Sequence, residues 1–170
     1  MDLHQTPAAM PTTDEAMLPG VTVVVETFLL GTTGGRLTYR TASRALTDDE
    51  HPDAVARALA GVAADGLLHS TSWRFASGRI VLTYAALPDP DPGSATVVRA
   101  PGQTLAAGDG PLSPSPGRVD ADDVAVHACR HLAFLRRTDP VVKASAARHR
   151  VLWDLLDEHQ PAVAGLLRPA

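Results

Sequence analysis

Apolar and β-branched residues crowd into residues 21–30 (VTVVVETFLL), which predicts a strand buried on both faces. Gly31-Thr32-Thr33-Gly34-Gly35 reads as a hairpin loop, and 36–42 (RLTYRTA) as the strand that returns from it. Asp48-Asp49-Glu50-His51-Pro52 then opens a helix to about Ala64, because proline suits a first turn and acids suit a positive helix end. Gly66 closes that helix, and Val55, Leu59 and Val62 form its inner stripe. Two more strands, 67–75 (LLHSTSWRF) and 79–87 (RIVLTYAAL), join across Ala76-Ser77-Gly78. The first half therefore reads β-β-α-β-β. The rest is helical: Asp120 caps a helix running to Arg137, and Asp139-Pro140 starts a shorter one to about Ala147. A last segment, 150–167, restarts at Pro161 and packs through Val151, Leu152, Leu155 and Leu156. The pattern predicts a two-layer α+β fold, a sheet covered by C-terminal helices.

Two segments break this rhythm. Residues 88–118 carry seven prolines and five glycines in 31 positions, with only Thr96-Val97-Val98 reading as strand. A segment of that composition is a linker or a binding loop. Residues 1–20 hold three prolines and no lysine or arginine, which predicts a flexible lead-in rather than a secretory signal. The domain proper is expected to be 21–170, as one unit. No run of about 18 apolar residues occurs, so a membrane span is not expected, and the expected location is cytoplasmic.

Composition narrows the function classes. A single cysteine among 170 residues, Cys129, excludes a disulfide scaffold and a multi-cysteine metal site; as a buried small side chain it reads as packing. A net charge of −4 argues against a nucleic-acid binder led by phosphate contacts. Lys143 is the only lysine beside fourteen arginines, and asparagine is absent, which is the mark of a GC-rich coding bias. Abundant arginine here is therefore no sign of anion recognition by itself.

Candidate chemistry comes from strand faces and helix spacing. Alternate strand residues share a face, so Arg36, Thr38 and Arg40 go together, as do Ser70, Ser72 and Arg74, with His69, Thr71 and Trp73 opposite. If the polar faces align, Glu26, Arg40, Ser72 and Arg74 converge into a pocket for a small polar or anionic ligand, with arginine forks as donors. The alternative is a solvated sheet face with an ordinary ion pair. His127 and His131 lie four apart on a helix, a spacing that lets both rings share a metal. The segment HACRH lacks the glutamate of a zincin motif and a third ligand at a recognisable spacing, and the alternative is packing at the helix–sheet seam. There is no GxSxG elbow, no GxxxxGK[ST] loop and no GxGxxG, and no cofactor is expected.

The order VTVVVETFLLGTTGGRLTYRTA, DAVARALAGVAADGL, SWRFASGRIVLTYAAL resembles the core of a Nudix hydrolase over residues 21–87. Gly66 and Leu67 match the pair that closes the family's helix. Ala63 and Ala64 stand where the resemblance places metal-binding glutamates, and alanine cannot hold magnesium. What the resemblance implies is a Nudix-like scaffold with a cleft and without the family's catalysis; a ferredoxin-like scaffold shares the same element order. The sequence thus points to a non-catalytic or accessory domain binding a small ligand or a protein partner. The alternatives are a small enzyme using His127, His131, Glu26 and Arg74, and a homo-oligomer that buries its hairpin or C-terminal helices against a copy of itself.

Overall fold

The computed structural model describes residues 21–102 and 119–163. The lead-in 1–20, most of the Pro/Gly-rich segment and the end of the last helical segment lie outside the described residues.

Among the described residues the sequence pattern becomes five strands and four α-helices. Strand β1 is Thr22–Thr33 and β2 is Arg36–Ala45, joined by Gly34 and Gly35 alone. Both glycines have positive φ, 59° and 73°, the geometry that a two-residue hairpin turn demands. The connection is shorter than the expected five-residue loop, and Gly31 lies inside β1. Helix α1 is Pro52–Ala60, strand β3 Leu67–Ala76 and strand β4 Arg79–Leu87. Strand β5 is Thr96–Val97, followed by helices α2 (Ala121–Thr138), α3 (Pro140–Ala146) and α4 (Arg150–Asp157). Asp120 caps α2 by accepting from the Asp123 amide, and Asp139 caps α3 through the Val141 and Val142 amides, so both predicted starts hold.

The sheet order is β3-β4-β1-β2-β5, with β1 and β4 parallel and every other pair antiparallel. This is an α+β fold. On one face Phe28, Leu30, Tyr39, Ala85 and Leu87 pack against Ala125, Cys129 and Leu132 of α2 and Trp153 and Leu156 of α4. Sheet and C-terminal helices are the two main layers, as the sequence predicts. The Tyr39 hydroxyl donates to Asp122 across 2.6 Å and ties the sheet to the first turn of α2. The intervening side chains of β1 and β4, Val25, Leu29, Tyr84 and Ala86, receive Val55, Ala56 and Ala60 of α1. Among the described residues no helix is long and apolar enough to cross a membrane.

Two boundaries differ from expectation for identifiable reasons. Helix α1 ends at Gly61, not Gly66: Gly61 takes the left-handed conformation (φ 61°) and returns its N–H to the Arg57 carbonyl. Val62, expected in the helical stripe, is buried just beyond that cap. In β3 the register slips between Ser70 and Ser72, a bulge centred on Thr71. Strict alternation therefore fails across it. His69, opposite Ala85, and Arg74, opposite Val81, come to the same sheet face, while Trp73 joins Leu82 and Phe75 joins Ile80 on the other.

Candidate functional site

Glu26 and Arg74 meet, and Ser72 lies on the same sheet face. Register places Glu26 beside Thr83, and Thr83 opposite Ser72. Arg74 Nη1 donates to Glu26 Oε2 at 2.8 Å and to Thr83 Oγ1 at 3.0 Å, and the Thr83 hydroxyl donates to the same carboxylate oxygen at 3.3 Å. The carboxylate in this apolar strand thus has the cationic partner that its position demands. The arginine is turned inward to that partner rather than held open as a fork.

Arg40 does not join this group. Glu26 lies opposite Ser43 in the β1–β2 ladder, whereas Arg40 lies opposite Leu29, so the two project from opposite faces. Arg40 instead makes a two-pronged ion pair with Asp89, Nε to Oδ2 at 2.8 Å and Nη2 to Oδ1 at 2.5 Å. The Asp89 side chain is 0% exposed, and its Oδ1 also accepts from the Asp91 amide. Gly31 makes room for it: a Cβ there would stand 2.9 Å from the Asp89 Cβ. Asp89 lay in the segment that the sequence reads as linker or loop. Its only local signal was a carboxylate directly after a strand, and its partner is 49 residues away.

The histidines rearrange more. His127 and His131 are both buried on α2 as expected, but the partner of His131 is His69 on β3, with Nε2 atoms 3.2 Å apart. The two ring centroids are 5.2 Å apart, and Phe134 stacks on the other side of His131. Burial pulls the pKa of all three histidines down; Thr71 backbone partly opposes this at His127, as do the nearby Asp139 charge at His69 and the Ala162 carbonyl at His131. His127 Nε2 is buried without a hydrogen-bond partner. Among the described residues no group of three or more His, Cys, Asp or Glu side chains is placed to hold a metal ion. Cys129 is fully buried in the core, and burial pushes its thiol pKa up, which makes it inert packing.

The largest unsatisfied feature is apolar and lies on β3. This strand forms the sheet edge, paired only with β4 among the described residues. Trp73 is 70% exposed and Phe75 63% exposed, on the face that α1 covers only farther along. Ile80 and Val23, half-buried, continue the patch across the sheet from Phe75. The Thr71 bulge and the short α1 leave Trp73 in solvent. At the other end of the same strand, Leu67 and Leu68 line a shallow groove of about 740 Å³ with Pro140, Val141 and Arg148. No family model matches this chain, and neither does any curated protein.

Proposed function

We propose that this is an accessory, non-catalytic domain that works by binding a partner protein along the β3 edge. The observation that carries the reading is the exposure of Trp73 and Phe75, side by side on a strand edge that no other strand pairs among the described residues. Large exposed aromatics on a flat edge invite either aggregation or recognition. An extended segment added to β3 would gain main-chain hydrogen bonds from the edge and bury both rings, and such aromatic anchors dominate binding energy. Its side chains would alternate, apolar toward Trp73 and Phe75 and polar toward Ser72 and Arg74. The polar pocket is less favourable ground for an anionic ligand, because Arg74 is engaged by Glu26 and Arg40 by Asp89.

A second copy of this chain is the runner-up occupant, and one observation favours it. The β3 sequence Ser72-Trp73-Arg74-Phe75-Ala76 itself carries the required alternation. Antiparallel pairing about Arg74 would set Trp73 of each copy against Phe75 of the other, a self-complementary arrangement.

The test is a photo-crosslinking side chain placed at position 73 or 75 of the full chain in its native cell, with position 151 on α4 as the control. Val151 is equally exposed and apolar, at 65%, but lies on a helix. Adducts of one defined mass at 73 and 75 and not at 151 are expected. Light scattering on the purified protein then separates a foreign partner from a second copy. Equal labelling at all three sites, or none at 73 and 75, rejects the edge as the contact.

A further inference from the structure

We propose that His69 and His131 form a two-imidazole binding site for a borderline divalent transition ion such as Zn²⁺. The sequence brings forward His127 and His131 for this role by their helical spacing. The fold selects a different pair, 62 residues apart, one on β3 and one on α2.

Geometry comes first. Two imidazole nitrogens bound to one tetrahedral ion, each about 2.0–2.1 Å from it, stand about 3.3 Å apart. The two Nε2 atoms are 3.2 Å apart, and the ring centroids lie farther apart, at 5.2 Å, so both rings turn their Nε2 edges toward the same space.

Proton placement agrees. A direct bond between the rings needs two different tautomers, one ring donating and the other accepting. Either choice leaves His131 Nδ1 buried without a hydrogen-bond partner. An ion uses both Nε2 lone pairs at once and fixes both protons on Nδ1. The Ala162 backbone lies close to the His131 ring, although the contact falls short of a hydrogen bond.

Electrostatics and access point the same way. The Asp139 carboxylate lends negative charge near His69. His131 is buried while His69 is half-exposed at the sheet edge, so the site has one sheltered ligand and one open side. With no third protein ligand among the described residues, water completes the coordination. That donor set suits zinc, nickel or copper rather than magnesium or calcium.

The experiment titrates the tag-free full-length chain with Zn²⁺ by calorimetry and records the visible absorption of added Co²⁺. The expected result is saturable binding of one ion per chain and Co²⁺ bands that mark nitrogen ligation. His69→Ala, at a half-exposed position that the fold tolerates, should weaken binding by about tenfold or more, since even loss of a supporting contact costs that much. His127→Gln should leave binding unchanged. Absence of saturable binding in the wild type, undiminished binding in folded His69→Ala, or equal loss in His127→Gln overturns the proposal.

Discussion

Two arginine–carboxylate pairs sit on opposite sheet faces, and their surroundings give them different weights. Asp89 is fully enclosed, so its charge depends on Arg40, which is itself 30% exposed along its side chain. Removing Arg40 strands a fully buried carboxylate, whereas Glu26, 18% exposed along its side chain, keeps the Thr83 hydroxyl as a donor and some contact with water when Arg74 is lost. Arg40→Ala should therefore lower unfolding free energy by about 3 kcal/mol or more, and Arg74→Ala by about 1 kcal/mol. Denaturant melts of the two variants measure the contrast; equal losses would mean that Asp89 finds another partner or a proton. Trp73→Ser, at a side chain 70% exposed, should change stability by less than about 0.5 kcal/mol, so a lost adduct in that variant reports the surface and not the fold. The exposed Glu50 shows local pairing without a core: Arg44, with Thr47 assisting, holds its carboxyl pKa down at about 2.

Among the elements, β1 and β3 depart most from a plain strand. Gly31 looks like loop chemistry in sequence, next to Thr32, Thr33 and two more glycines. In the fold it is a strand residue that lets Asp89 and Pro92 approach, at 2.9 and 3.3 Å from where a Cβ would stand. Gly31→Ala should cost about 1–3 kcal/mol through this overlap, while alanine in the α1 interior, at Arg57, should be nearly neutral. Thermal melts compare the two. Strand β3 carries one extra residue at Thr71, whose hydroxyl donates to the Thr83 carbonyl at 3.3 Å. That bulge decides that His69 meets α2 and that Trp73 and Phe75 face away from it. Caps behaved more simply: Asp120 and Asp139 were readable because capping needs only a side chain two or three residues from the amides it serves.

Among the described residues four histidines, His69, His127, His131 and His159, have pKa values pushed down by burial. A depressed folded-state pKa means that the unfolded chain takes up protons first as the pH drops below about 6.5. Stability should be flat at neutral pH and fall from about pH 6.5 toward the lowered folded values. Melting temperatures across pH 7.5 to 5 check this; a flat profile through pH 5.5 would contradict the burial of these rings. As for legibility, the strands, the α2 and α3 caps, the short turn between β3 and β4 and the α+β class followed from the sequence, because each rests on periodicity or on contacts within a few residues. That Glu26 needs an arginine partner was also legible, since a carboxylate inside an apolar strand calls for a cation near by, but register chose Arg74 over Arg40. The sheet order, the pairing of Arg40 with Asp89, the meeting of His69 with His131 and the exposure of Trp73 were decided by tertiary structure alone. Each depends on register: one bulged residue moves every following side chain to the other face, and partners 49 and 62 residues apart leave no trace in local spacing.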